Sequence, residues 1–166
     1  VTMNGISGYS GGGRTMIEAH EAGTAPAYEL YGLGLKHKHV PEIMLHTGLQ
    51  RRPVLIPSVG NFRQGMLVQM PLHLDTLPGQ PDASDLHDAL AKHYAGSEWV
   101  TVDPATADGK LDAVALVDTN KLELRVFAND AAKDGFSHAV LIARLDNLGK
   151  GASGAAVQNL KLMLGL

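Results

Sequence analysis

The sequence contains the stretch Lys36-His37-Lys38-His39-Val40-Pro41-Glu42-Ile43, in which two histidines alternate with two lysines. This alternation predicts a strand, because residues i and i+2 of a strand share a face. Pro41 suits the first position of a helix, and a helix dipole favours the carboxylate of Glu42 in the first turn. Gly48 is predicted to end that helix at C′. His39 is therefore predicted to lie where a strand meets a helix N-terminus, with a neutral ring that can accept a proton.

The composition predicts one domain that spans residues 1–166. The chain has a formal net charge of -3, with 45% hydrophobic and 19% charged residues. The mild acidity argues against a nucleic-acid partner or a basic membrane patch, and no apolar run is long enough to span a bilayer. The absence of cysteine excludes a disulfide framework and a thiol nucleophile within this chain. The interpretation is a soluble cytoplasmic domain.

Outward from the central stretch, hydrophobic periodicity predicts the secondary structure. Strands are predicted at 1–4, 28–39, 53–59, 66–74, 98–102, 114–117, 122–127 and 137–145, and helices at 14–22, after Asp82 or Ser84, and at 151–164. The helix after Asp82 or Ser84 has Leu86, Leu90 and Tyr94 on its core face, and the last helix has Ala155 and Leu162. The strands at 53–59 and 66–74 are predicted to be neighbours joined by a short loop. The fold class is therefore α+β, with a mixed, largely antiparallel sheet and helices packed on it.

Residues 122–127 alternate in a way that predicts two different faces. Leu122, Leu124 and Val126 share an apolar face, and Glu123 and Arg125 share the other. The apolar face is predicted to support self-association through the sheet.

Residues 5–13 form a glycine- and serine-rich loop between a predicted strand and a predicted helix. Such a loop permits positive φ and exposes N–H groups to an anion, so it is interpreted either as a phosphate or dinucleotide contact or as a flexible turn. It also satisfies the G-x-S-x-G pattern around Ser10, which with Asp118 and His138 would give a serine hydrolase triad. Only about four strand residues precede Ser10, which disfavours this alternative.

The two histidines of the central stretch also allow a metal interpretation. His37 and His39, with Glu42 as a third ligand, have a ligand-like spacing. The flanking lysines would repel a cation, so no metal site is predicted.

Four spaced motifs together resemble N-acetyl-gamma-glutamyl-phosphate reductases, the NADP-dependent enzymes of arginine biosynthesis. They are Gly5-Ile6-Ser7-Gly8-Tyr9-Ser10-Gly11-Gly12-Gly13, Lys36-His37-Lys38-His39-Val40-Pro41-Glu42, Pro57-Ser58-Val59-Gly60-Asn61-Phe62-Arg63-Gln64-Gly65 and Asp146-Asn147-Leu148-Gly149-Lys150-Gly151-Ala152. The resemblance covers essentially the whole chain. It implies the family's second domain, which is catalytic and dimerising and resembles those of aspartate-semialdehyde and glyceraldehyde-phosphate dehydrogenases.

The resemblance implies a reductive dephosphorylation of a small-molecule acyl phosphate. In the family a cysteine thiolate attacks the acyl phosphate, phosphate leaves, and NADPH delivers hydride to give N-acetylglutamate 5-semialdehyde. This chain has no cysteine, and the family's N-terminal Rossmann domain, which binds most of the NADP, is absent from it. We therefore expect an incomplete domain that is inactive alone and that forms a homo-oligomer.

The resemblance also implies roles for individual residues. His39, with His37 as the alternative, resembles the family's general acid/base, and Glu42 is placed to orient a histidine. Asn147 resembles the residue that holds the nicotinamide carboxamide. The loop that borders the cofactor is represented by Ser7, Gly8, Ser10 and Gly11. Aspartate-semialdehyde dehydrogenase, or a dimerisation module without catalysis, remains an alternative function.

Overall fold

The computed structural model describes all 166 residues. The strands are β1 (Thr2–Gly8), β2 (Tyr28–Leu30), β3 (Val54–Gly60), β4 (Met66–His73), β5 (Val100–Val102), β6 (Leu122–Ala128) and β7 (His138–Leu145). The α-helices are α1 (Arg14–Glu21), α2 (His39–Thr47), α3 (Ala83–His93), α4 (Ala131–Asp134) and α5 (Gly154–Leu164). Short 3₁₀ turns cover Tyr9–Gly12 and Leu74–Thr76, and a π-helical turn covers Gly149–Ser153.

All seven strands belong to one sheet in the order β2-β3-β1-β4-β7-β6-β5. Four neighbouring pairs are antiparallel, and only β1 with β3 and β5 with β6 are parallel. The predicted fold class, a mixed and largely antiparallel sheet with helices, is therefore confirmed.

The predicted pairing of the strands at 53–59 and 66–74 is wrong. β1 lies between β3 and β4, parallel to the first and antiparallel to the second. The loop 61–65 crosses the end of β1 instead of closing a hairpin. Five residues suffice for this, because the crossing spans only two strand spacings of about 4.8 Å each.

Three predicted strands are also wrong in extent or in kind. The strand at 1–4 extends to Gly8, so the first part of the predicted loop at 5–13 belongs to β1, where it pairs with β3 and β4. The strand at 28–39 ends at Leu30, because Gly32 and Leu35 have φ of 62° and 56° and turn the chain. The apolar run 114–117 is a turn in which Val117 N–H donates to the Val114 carbonyl. Runs of this kind do not reveal whether a partner strand is available, and here none pairs with them.

The hydrophobic core lies between α3 and one face of the sheet. Leu74, Val126 and Ala139 form its buried centre, with partly buried neighbours Leu72, Leu77, Ala83, Leu86, Leu90 and Leu141. The predicted cap of α3 is confirmed at Asp82, which forms a capping box with Asp85. Val126 therefore lies in the core under α3. The prediction that its face supports self-association is wrong.

The opposite face of the sheet is the one that points away from this core. Strand register places Phe127, Val140 and Ile142 there, and all three side chains are only half-buried. We call these three residues the open face.

Helix α5 also differs from its prediction. It begins at Gly154, after the π-helical turn, and none of its residues is buried. Leu162, predicted on a core face, is 69% exposed, and Met163 is 84% exposed. No helix of the structure combines the length and the hydropathy needed to cross a membrane.

A buried carboxylate lies at one end of the open side of the sheet. Glu123, 8% exposed, accepts hydrogen bonds from Arg125 and Arg144. These arginines also donate to the carbonyls of Pro104 and Asp112, so the cluster holds the 103–121 connection. Burial acts to raise the pKa of Glu123, but the two guanidinium groups outweigh it and hold the pKa below its usual range.

This cluster predicts acid sensitivity. Because the folded-state pKa of Glu123 is depressed, its contribution to stability is present above the unfolded pKa of about 4.3 and is lost as the pH falls below it. We expect Glu123→Gln to lower the free energy of unfolding at pH 7 by about 2 kcal/mol. Urea unfolding from pH 7 to 3 should show this difference shrinking, with exposed Glu98→Gln as control. A difference that stays constant with pH would contradict the prediction.

Candidate functional site

Three loops meet at the end of β1. The N–H groups of Gly8, Tyr9 and Ser10 donate to carbonyls of the 61–65 loop at 2.9–3.0 Å. A Cβ on Gly8 would lie 2.6 Å from the Arg63 carbonyl oxygen, so only glycine allows this approach. Gly8, predicted to border the cofactor, is thus required for packing one loop against another.

Asn147, from the third loop, joins the other two. Its Oδ1 accepts from Gly65 N–H at 2.8 Å, and its Nδ2 donates to Ser10 Oγ at 2.9 Å. Asn147 and Ser10 are each 8% exposed. Both side chains are therefore fixed in place.

Gly11 lies directly against this pair. A Cβ there would be 2.9 Å from Ser7 Oγ and 3.3 Å from Asn147 Nδ2. The structure therefore brings together four of the predicted cofactor-binding residues: Ser7, Ser10, Gly11 and Asn147. The second Nδ2 hydrogen of Asn147 is not used by Ser10, so the group can donate to a ligand carbonyl.

The close approach at Gly11 predicts a substitution effect. Gly11→Ala should lower the free energy of unfolding by about 1–3 kcal/mol, because the new methyl group overlaps Ser7 Oγ and crowds the fixed amide of Asn147. Gly34→Ala is the control, since its Cβ would meet nothing within 4 Å. Thermal unfolding of both variants measures this. We call the space at Gly11, which Ser7 and Asn147 line, the cradle at Gly11. Equal melting temperatures would show that this cradle accepts a methyl group without a loss of stability.

The histidine stretch does not form the predicted strand. Lys36–Lys38 lie outside any strand, and α2 begins at His39. Pro41 is therefore the third helical residue, a position whose N–H has no intrahelical partner. The helix end is confirmed, since Gly48 is left-handed with φ 69° and donates to the Met44 carbonyl. His39 does lie at the helix N-terminus, as predicted.

His37 is the more enclosed of the two histidines. Its Nδ1 accepts the His39 backbone N–H at 3.3 Å, which leaves the ring proton of the neutral form on Nε2. The ring centroid lies 4.9 Å from that of His39 and 5.9 Å from that of Tyr31. Burial, followed by the charges of His39 and Lys38, lowers the pKa of His37 against the opposing effect of Glu42. A neutral ring at pH 7 follows.

Glu42 approaches His39, not His37, within this group. His39 Nε2 lies 4.0 Å from Glu42 Oε2, and the two side chains are 53% and 65% exposed. Solvent screens a pair this exposed, so its contribution to stability is small.

The structure does not bring together the residues of the alternative serine hydrolase triad or those of the alternative metal site. Ser10 Oγ accepts from Asn147, and His138 begins β7 beside His73, whereas Asp118 lies near Asp146 at the other end of that strand. Ser10 and His138 are thus separated by the length of β7, roughly 24 Å. His37, His39 and Glu42 also form no metal site, since no group of three or more His, Asp or Glu side chains could hold an ion.

The sequence patterns did not indicate the importance of one residue in this region. Asp146 directly precedes Asn147, is fully buried, and accepts hydrogen bonds from Gln64, Asp118 and Leu148. An Asp-Asn pair directly after a strand is a turn signal that would have indicated it.

Residues 1–147 match the family described as semialdehyde dehydrogenase, dimerisation domain. N-acetyl-gamma-glutamyl-phosphate reductase of Trichormus variabilis is 49% identical over 180 residues, covering 100% of this chain and 55% of the relative. The protein of the same name from Chelativorans sp. is 50% identical over 171 residues, covering 99% and 54%. This chain therefore spans about half the length of the curated relatives it matches.

Solved structures with a similar fold include aspartate-semialdehyde dehydrogenases. The type II protein of Vibrio cholerae superposes with a TM-score of 0.65 at 15% identity, covering 98% of this chain and 54% of that one. A probable aspartate-semialdehyde dehydrogenase from Pseudomonas aeruginosa gives a TM-score of 0.63 at 14% identity, covering 98% and 55%. At these identities the likeness concerns the fold alone.

Proposed function

This chain belongs to the family of semialdehyde dehydrogenase dimerisation domains, and from that premise we propose that it is the second domain of an N-acetyl-gamma-glutamyl-phosphate reductase. The observation that carries this is about 49% identity along the whole chain to reductases of that name. The longer, cytoplasmic enzyme reduces N-acetylglutamyl 5-phosphate to N-acetylglutamate 5-semialdehyde with NADPH. Its Rossmann domain and its nucleophilic cysteine lie outside these 166 residues.

The cluster of Ser7, Ser10, Gly11 and Asn147 fits the carboxamide of a nicotinamide. Gly11 lacks the Cβ that would cover Asn147 Nδ2, and one Nδ2 hydrogen is left after the bond to Ser10. That N–H would donate to the carboxamide oxygen. NADPH, when bound, supplies the hydride, while this chain's residues orient the ring.

A histidine of the 37–39 pair acts as the general acid/base toward the substrate carbonyl oxygen. Two observations favour His37: its pKa is lowered, and the hydrogen bond to Nδ1 places its proton on Nε2. A neutral ring with a fixed Nε2–H can donate a hydrogen bond to a developing oxyanion. His39, with Glu42 beside it, is the alternative within the pair.

The enzyme is a homo-oligomer that associates through the sheet. The family is described as a dimerisation domain, and the open face of Phe127, Val140 and Ile142 presents apolar side chains away from the α3 core. Helix α5 has a second apolar surface, with Leu160 and Leu164 55% and 62% exposed. The apolar face of a helix is normally buried. The part of the longer enzyme outside this chain covers it.

The test is an assay of the full-length enzyme. We expect NADPH oxidation with N-acetylglutamyl phosphate and none with aspartyl phosphate. The decrease in NADPH absorbance and the detection of the aldehyde product measure this. Oxidation with aspartyl phosphate alone would assign aspartate-semialdehyde dehydrogenase. Turnover by the isolated chain, or micromolar NADPH binding to it in titration calorimetry, would contradict its role as an incomplete domain.

A further inference from the structure

Asp146 is a buried carboxylate without a cation. It is 0% exposed, and none of the ion pairs in the structure includes it. A buried charge of this kind is costly unless hydrogen bonds replace its hydration. Its two oxygens are therefore expected to be held by N–H donors.

The donors come from three separate segments. Oδ2 accepts from Gln64 Nε2 at 2.8 Å and from Asp118 N–H at 2.9 Å, and Oδ1 accepts from Leu148 N–H at 2.9 Å. Burial acts to raise the pKa of Asp146, but the N–H groups of these residues and of Gly149 outweigh it and hold the pKa below its usual range. The carboxylate is thus ionised at neutral pH and fixed at both oxygens.

The turn that Asp146 fixes carries Asn147. Leu148 N–H on the carboxylate and Gly151 N–H on the Asp146 carbonyl, at 2.8 Å, close the backbone on either side of Asn147. The Asn147 amide then has one orientation, toward Gly65 N–H and Ser10 Oγ. Asp146 therefore determines where the Asn147 amide points, although the Asp146 side chain does not line the cradle at Gly11.

We propose that Asp146 is the positioning residue for Asn147, holding its amide toward the cradle at Gly11 that receives the nicotinamide carboxamide. Only the identity of that ligand rests on the proposed function. The orientation of the amide is a property of these loops without any ligand.

The test is Asp146→Asn in the full-length enzyme, because an amide presents an NH₂ to donors that need an acceptor. Without cofactor, protection of the Gly65 N–H from hydrogen exchange should fall about tenfold, since Asn147 Oδ1 no longer stays on it. The Kd for NADPH should rise about tenfold as well. Adding Asp146→Asn to Asn147→Ala should not raise the Kd further, because Asp146 acts through Asn147.

Asp118→Asn is the matched control. Asp118 also accepts from Gln64 Nε2, at 3.1 Å, but it does not flank Asn147, and asparagine tolerates its φ of 61°. Wild-type exchange and Kd are expected. If Asp146→Asn does not fold, Gln64→Met removes one donor from the carboxylate, and it should raise the Kd about threefold in wild type but not in Asn147→Ala.

Unchanged Gly65 protection, or a Kd effect that adds fully to Asn147→Ala, would overturn the assignment. These outcomes are separate from failure of the proposed function. A full-length enzyme inactive on N-acetylglutamyl phosphate would refute that function, while the exchange measurement would still decide the role of Asp146.

Discussion

His37→Asn in the full-length enzyme is expected to lower kcat by roughly 10²–10⁴-fold, with the fold and the substrate KM retained. Asparagine keeps a polar side chain but cannot exchange a proton near neutral pH. Because the pKa of His37 is lowered, its neutral form persists below the usual histidine range of about 6.5. The wild-type rate should therefore fall as the pH drops through that lowered pKa, and the variant should lack this limb.

His39→Asn is the matched control for this prediction. It removes the neighbouring ring but leaves the His39 backbone N–H that holds His37 Nδ1. A kcat within a few-fold of wild type is expected, and a large loss confined to His39→Asn would transfer the role to His39. If both variants lower the melting temperature and leave kcat unchanged, the two rings serve packing and neither acts in the reaction.

Val140→Asp should convert the homo-oligomer to a monomer. Val140 lies between Phe127 and Ile142 on the open face, where an interface would remove the carboxylate from water. An unpaired charge in an interface costs several kcal/mol, enough to weaken association by more than about 100-fold. Sedimentation at high micromolar concentration measures this shift.

Ala132→Asp is the control, because it adds the same charge at an exposed position of α4. It should stay oligomeric. Wild-type sedimentation of Val140→Asp would exclude the open face as the interface. A monomeric wild-type protein would exclude self-association itself.

Local sequence signals predicted the features that depend on local chemistry. The Gly48 end of α2 and the Asp82 cap of α3 follow from glycine's left-handed backbone and from the reach of a short carboxylate. The positions of β3, β4, β6 and β7 follow from their apolar patterns. Each of these signals involves residues within a few positions of one another, so no knowledge of the fold was needed.

The errors of pairing and burial concern partners that are distant in the chain. Alternation alone did not reveal that β1 separates β3 from β4, or that α3 covers the face containing Val126. The apolar character of α5 predicted burial, which in these residues does not occur. Periodicity indicates that a face is apolar, but it does not specify what covers it.

The sequence by itself determined the fold class, the end of α2 at Gly48, and the residue types of the candidate site. Only the tertiary structure decided that Ser7, Ser10, Gly11 and Asn147 meet, that His37 is the histidine held by a backbone N–H, and that Asp146 fixes the turn beside Asn147. Ser10 and Asn147 are 137 positions apart in the chain. Their contact exists because strand pairing brings the ends of β1 and β7 to the same edge through β4, and pairing over such separations depends on the packing of the whole sheet.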